Sequence, residues 1–356
     1  MVKVGTSSVV ADGAPDSTKL DVIGDAIVNL MADGDMPVLV SSGAIALGCA
    51  RLRSLLGVEP MCRQVAAAVG QSLLFEAFRE CLGQRGIPAA QFLLTPPDLV
   101  EKVHCAGVRA ALDRALEWRI VPVVNENDAI AVRNNDILAA LLSAVIGARL
   151  LVLITDVAGL YETDPRRNPA GGPIRELRLP SPGVERLAMA AVEGLGTGGI
   201  TTKLCASWIA TFAGVTTVIA SAAEPDVLMR AAHGEEVGTL VRPQRPGGAG
   251  PELRRLWRAF ASLPAGHLVC DRMTEDVVAR NAPIHRRRVV EAIGEFLVGD
   301  TVDVLGPDAR LLARGRTQLD AASFAAHVSP EPRPSAQGIV LEPDDYVSLL
   351  EVEACR

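Results

Sequence analysis

Short apolar runs rich in valine, isoleucine and leucine recur at residues 2–4, 36–40, 87–94, 120–124, 150–155 and 216–220. The stretches between them, at residues 20–32, 63–84, 108–118, 137–146 and 204–213, carry helical patterns instead. Runs of this kind suit strands covered on both faces, because the helices that connect parallel strands pack on each side of the sheet. The alternation therefore predicts an α/β fold with a mostly parallel, open sheet sandwiched by helices.

The pattern breaks at residues 243–251, where proline and glycine crowd a stretch without apolar periodicity, as in a surface linker. A short helix is expected near residues 253–261, followed by brief β segments at 267–270, 292–298, 301–305, 311–315 and 339–341. Such a run predicts a small β-rich barrel rather than another βαβ unit. The expected division is a first domain over residues 1–242, a linker with its short helix over 243–262, and the β-rich domain over 263–356.

Composition excludes several classes of function. The net charge is −7 with acids and bases interspersed, which gives no electrostatic basis for nucleic acid or an anionic membrane as the main partner. The seven cysteines are scattered, with neither a C-x-x-C pair nor cysteine–histidine ligand spacing. No protein-ligated metal site is expected, and the thiols read as core residues in a reducing compartment. No apolar run reaches membrane-spanning length, and residues 2–4 are already strand-like with no signal-peptide core, so a cytoplasmic location is expected.

The densest chemistry follows the run at residues 120–124, where Asn125, Glu126, Asn127, Asp128, Asn134, Asn135 and Asp136 crowd one short span. Ligands of open α/β sheets sit beyond the carboxyl ends of the strands, and amides with carboxylates suit a small ligand bearing ammonium and carboxylate groups. The bland alternative is a solvated turn. Glycine- or serine-rich turns lie at residues 5–8, 41–45, 159–161 and 194–203. Small residues let backbone N–H groups approach an anion, and a helix N-terminus adds favourable partial charge. Neither a Walker A nor a Rossmann glycine pattern is present. Lys3 and Lys203 stand beside these turns in a chain poor in lysine relative to arginine. A compact, mobile cation suits a transferring phosphoryl group. Lys203 sits where the macrodipole of the following helix disfavours a cation, which favours a functional reading.

These residues resemble a known family. The ordered motifs V-K-V-G-T-S-S, V-S-S-G-A-I-A-L-G, V-A-A-A-V-G-Q-S-L-L, Q-F-L-L-T, V-P-V-V-N-E-N-D, T-D-V-A-G-L-Y-E-T-D-P and G-L-G-T-G-G-I-T-T-K look like those of the glutamate 5-kinases, within the amino-acid-kinase superfamily. The likeness runs from Lys3 to about Thr239, and the segment from about Pro264 is similar to the PUA domain appended to many bacterial members. The resemblance implies transfer of the γ-phosphoryl group of ATP, with Mg2+, to the side-chain carboxylate of L-glutamate in the first step of proline synthesis. It implies catalytic roles for Lys3, Lys203 and Asp136, and a glutamate site of Ser42, Gly43, Asn125, Asp128 and Asn135. It implies a nucleotide site of Lys3, Gly5, Thr6, Thr155, Asp156, Tyr161, Thr197, Gly198, Gly199, Ile200, Thr201, Thr202 and Lys203. It further implies a homodimer or homotetramer, proline as feedback inhibitor and functional coupling to glutamyl-phosphate reductase.

The chain departs from the family pattern at three places. Only Val132 and Arg133 stand between Ala131 and Asn134, where a longer loop is usual, and Asn134 replaces an aspartate. Lys3 lies almost at the first residue, and the PUA-like segment has a single basic cluster, Arg286, Arg287 and Arg288, which does not support RNA binding. A kinase for a different carboxylate substrate and a non-catalytic regulatory homologue both stay open at this point.

Overall fold

The computed structural model describes residues 1–57, 61–130, 134–161, 172–179, 198–243, 251–325 and 338–350. It divides into two compact units, Met1–Arg178 with Ala210–Gly248, and Leu179–Ile209 with Ala249–Arg356.

The first unit is built on strands β1 (Val2–Val4), β4 (Leu39–Ser41), β5 (Ala89–Leu94), β6 (Val121–Glu126), β7 (Leu150–Thr155), β8 (Glu176–Arg178), β9 (Thr216–Ser221) and β10 (Thr239–Arg242). A separate small hairpin is formed by β2 (Val10–Ala11) and β3 (Ala14–Pro15). The sheet order is β5-β6-β4-β1-β7-β9-β10-β8. Every pairing from β5 to β9 is parallel, as the apolar runs predict. Strands β8 and β10 were not expected. Strand β10 pairs antiparallel with β9, and β8 lies parallel to β10 at the sheet edge.

Among the described residues the α-helices before β7 are α1 (Ser17–Ala32), α2 (Ala44–Leu56), α3 (Arg63–Gly83), α4 (Pro96–Val100), α5 (Lys102–Glu117) and α6 (Asn135–Ile146). Strand alternation sends Val2, Val4, Leu39, Val123, Val152 and Ile154 into one core, against Ile23 and Ile27 of α1 and Leu74 and Phe78 of α3. The intervening side chains, Lys3 among them, turn to the opposite face, where α6 packs on β1, β4, β6 and β7. Leu138, Leu141 and Leu142 of α6 are fully buried, each contributing roughly 1.5–3 kcal/mol relative to exposure. This apolar helix fixes its own N-terminus against the sheet, and that is where the polar cluster begins.

The second unit contains β11 (Gly266–Cys270), β12 (Ile284–His285), β13 (Val289–Gly294), β14 (Thr301–Leu305), β15 (Leu311–Arg316), β16 (Ile339–Leu341) and β17 (Tyr346–Ser348). Five strands form one sheet in the order β13-β11-β14-β15-β17, and β12 pairs with β16. Leu268, Val302, Val304, Leu312 and Tyr346 meet in its core. The β-rich character is as expected, but the segment read at residues 292–298 is displaced to Val289–Gly294. Gly294 adopts φ +101°, a left-handed turn that ends the strand and leaves Leu297 and Val298 outside it.

Candidate active site

The parallel strands β1, β4, β6 and β7 all deliver polar or small residues at their carboxyl ends, which share one edge of the sheet. Gly5 and Thr6 follow β1, Ser42 and Gly43 follow β4, Asn127 and Asp128 follow β6, and Asp156 follows β7. The Ser42 N–H donates to the Val4 carbonyl at 3.1 Å, which ties two of these ends together. Gly43 then takes φ +123° to turn straight into α2, with no side chain capping that helix. Helix α2, missed in the sequence, brings unpaired N–H groups of its first turn to the edge, a setting that favours an anion.

Lys3 is the middle residue of β1 and only 7 % exposed. Its Nζ lies 2.7 Å from Oδ1 of Asp136, in the first turn of α6 and only 2 % exposed. Asn134 caps this helix, its Oδ1 accepting the Asp136 N–H at 2.7 Å. A carboxylate at a helix N-terminus complements the macrodipole, and a buried pair of this kind is costly to leave half-made. Sequence and fold thus place a cation and a carboxylate together near the carboxyl edge of the sheet, the edge that carries ligands in open α/β folds.

Beside the pair runs a chain of amides. Asn125 Nδ2 donates to Gln71 Oε1 at 2.7 Å, and Asn125 Oδ1 accepts from the Glu126 N–H and from Asn135 Nδ2, both at 2.8 Å. Asn135 Nδ2 also reaches Ser42 Oγ at 3.1 Å, while its Oδ1 accepts from the Glu126 N–H at 3.1 Å. Asn125 and Glu126 belong to β6 and are buried in it, so the strand runs two residues past the apolar run at residues 120–124. The amides can continue a buried strand because side chains from α3 and α6 meet their hydrogen bonds. Asn125 is thereby tied to Asn135, and it lines the cleft itself. The network opens into a cleft of about 310 Å³ lined by Ala44, Gln71, Ser72, Gln91, Asn127 and Asp128, among others. Cβ atoms at Gly48 and Gly70 would overlap the carbonyls of Ala66 and Ala44, so these glycines are what bring α2 and α3 close enough to seat Gln71 there. Gln71 escaped the sequence reading; a lone glutamine on the alanine- and leucine-lined face of α3 was the available signal.

The remaining candidates are distributed as follows. Asp128 is half-buried on the cleft. Thr155 Oγ1 donates to Asp156 Oδ1 at 3.2 Å, and Asp156 is exposed at the end of β7. Tyr161 is half-buried. In the turn before it, the buried Leu160 N–H is donated to Thr239 Oγ1 at 2.8 Å. Thr197 and the loop residues Ala131, Val132 and Arg133 lie outside the described residues. Gly198 through Lys203 form the first turns of the helix Gly198–Phe212 rather than a loop ahead of it. The glycines and threonines there have poor helix propensity, so the sequence reading started the helix too late. Thr201 and Lys203 are buried, at 2 % and 9 % exposure; both belong to the second unit, whereas Lys3 and Asp136 belong to the first.

Comparison with known proteins agrees with this architecture. Residues 1–221 match the sequence profile of the amino acid kinase family. The chain is 38% identical to the glutamate 5-kinase of Frankia casuarinae, over 98% of its own length and 96% of that protein. It is 36% identical to the glutamate 5-kinase of Burkholderia multivorans, over 97% and 94% respectively. Among solved structures, carbamate kinase from Giardia lamblia bound to AMP-PNP superposes with a TM-score of 0.51 at 16% identity, covering 68% of this chain and 96% of that one. The UMP kinase of Bacillus anthracis gives 0.50 at 14% identity, covering 68% and 95%, and both likenesses speak to the fold alone. Among the described residues no helix is long and apolar enough to cross a membrane. With its profile match, its near full-length relatives and its sheet all in agreement, the chain belongs to the amino acid kinase family.

Proposed function

We propose that the chain is a glutamate 5-kinase, which makes L-glutamyl 5-phosphate from L-glutamate and ATP as the first step of proline biosynthesis. The observation that carries this reading is the buried Lys3–Asp136 pair, 2.7 Å apart, beside an amide-lined cleft at the carboxyl edge of the sheet. A side-chain carboxylate is already a nucleophile at neutral pH. Its oxygen bonds to the γ-phosphorus as the bond from that phosphorus to the bridging oxygen breaks, and ADP leaves with the electron pair. The protein's task is then alignment and charge stabilisation, without a general base.

In this reading Lys3 and Lys203 neutralise charge growing on the transferring group, and Asp136 orients Lys3. Ser42, Gly43, Asp128 and Asn135 hold the glutamate, with Asn125 and Gln71 fixing Asn135 in place. Gly5, Thr6, Thr155, Asp156, Tyr161 and the stretch Thr197, Gly198, Gly199, Ile200, Thr201, Thr202 and Lys203 serve the nucleotide. Mg2+ usually binds through one or two carboxylates plus substrate phosphates, and Asp156, exposed at the end of β7, fits that donor set. The ion would neutralise phosphate charge. Residues 1–242 would form the catalytic domain, 243–262 the linker and 263–356 a PUA-like domain. A cytoplasmic homodimer or homotetramer, feedback inhibition by proline and coupling to glutamyl-phosphate reductase complete the proposal.

The test is hydroxamate formation with Mg-ATP and hydroxylamine, comparing L-glutamate with L-aspartate and N-acetyl-L-glutamate. Hydroxamate from L-glutamate alone is the expected result. None from L-glutamate, with product from another acid, would overturn the assignment.

A further inference from the structure

The helix that carries Lys203 is held at two points within the second unit, and neither involves the proposed substrate sites. Trp208 stacks on Phe260 of the helix Leu253–Phe260, with ring centroids 5.7 Å apart and planes 10° from parallel. One helical turn earlier, Cys205 Sγ lies 3.9 Å from Nη1 of Arg314 on β15. Arg314 is itself fixed. Its Nε and Nη2 donate to the two oxygens of Asp303 at 2.6 and 3.0 Å, and its guanidinium lies 5.7 Å from the centre of the Phe260 ring. Cys205, Trp208, Phe260, Asp303 and Arg314 are each at most 4 % exposed.

Residues three apart share one face of a helix, so Cys205 and Trp208 present a single face to Arg314 and Phe260. Lys203 lies five residues before Trp208, about 7.5 Å along the helix axis at 1.5 Å per residue. The Ser207 hydroxyl bonds back to the Lys203 carbonyl at 2.8 Å within the same helix. A rigid helix transmits a tilt at its anchored face directly to a side chain at that distance.

We propose that Phe260 and Arg314 are positioning residues for phosphoryl transfer, which hold the Gly198–Phe212 helix and through it the ammonium of Lys203. The inference rests on the reading of Lys203 as a phosphoryl-binding cation. It assigns the C-terminal unit a part in turnover that its small β fold does not announce.

The experiment uses the full chain and three variants: Phe260→Ala, Phe260→Leu and, as a control in the same unit, Val304→Ala in the buried core of β14. Hydroxamate kinetics give kcat and the KM for L-glutamate, calorimetry gives the affinity for AMP-PNP, and thermal melting reports stability. Phe260→Ala is expected to lower kcat by about tenfold or more and to weaken AMP-PNP binding, because small misplacements of a charge-stabilising group are costly. The KM for L-glutamate should stay unchanged, Phe260→Leu should recover most of the loss, and Val304→Ala should lower Tm with kcat intact. If Phe260→Ala does not fold, Cys205→Ala carries the test, with a several-fold fall in kcat expected. A folded Phe260→Ala or Cys205→Ala with the parent's kcat and AMP-PNP affinity would overturn the proposal. Absence of hydroxamate from the parent chain overturns the glutamate reading instead, and AMP-PNP affinity alone then decides the positioning role.

Discussion

Each unit buries an ion pair, and the two pairs are built for different ends. Arg314 and Asp303 form a bidentate contact inside the C-terminal β-sheet, each at 2 % exposure, with the guanidinium also facing an aromatic ring. A planar fork in fixed geometry suits a structural joint. Lys3 and Asp136 meet at a strand–helix junction, Nζ 2.7 Å from Oδ1, next to the cleft and the start of α2. An ammonium on a flexible stem can follow a migrating phosphoryl group, and a guanidinium cannot do so as readily. Burial of charge alone therefore does not mark function; the residue type and its place at the carboxyl edge do.

The contrast can be broken at either pair. The largest effect is expected from Lys3→Met, which should cut hydroxamate formation by about 10³-fold or more, the scale of losing a key electrostatic donor. Arg314→Met leaves Asp303 buried without its partner and should cost about 3–5 kcal/mol in urea unfolding. Its effect on turnover should be far smaller than that of Lys3→Met. Within the cleft, Asn135→Ala removes the links to Ser42 and Asn125. It should raise the KM for L-glutamate about tenfold, in line with roughly 1–2 kcal/mol for a lost buried hydrogen bond, with a smaller change in kcat. The smallest perturbation is chemical. Burial pushes the Cys205 thiol up, and the Cys270 thiol up to about 12. Both stay protonated at pH 8 and should resist alkylation in the native protein, while the exposed Cys62 is labelled. Mass spectrometry before and after denaturation reads this, and early labelling of Cys205 would mean that its helix is not packed as described.

Much of the first unit was legible because parallel strands are apolar throughout. Residues 150–155 and 301–305 coincide with β7 and β14 as observed. The strand β6 outran its apolar run, since buried Asn125 and Glu126 depend on partners 54 and 9 positions away, on other elements, that local pattern does not contain. Helix α2 was hidden by the serine–glycine turn in front of it, and the first turns of the helix Gly198–Phe212 by their own glycines. In the site, Lys3 and Asp136 stood out by residue type and position. Gln71 did not, because a helix that packs glycine against helix looks the same with or without a polar link at its face. The hold of Arg314 and Phe260 on the Lys203 helix joins residues up to 109 positions apart, beyond any periodicity.

The role of the buried pair is tested most sharply by hydroxamate formation in the double variant Lys3→Met with Asp136→Asn, alongside its thermal melting. Removing both charges avoids a stranded buried ion. The expected result is a Tm close to that of the parent chain and essentially no product from L-glutamate. Turnover close to that of the parent in the folded double variant would contradict it and make the pair a structural joint like that of Arg314 and Asp303.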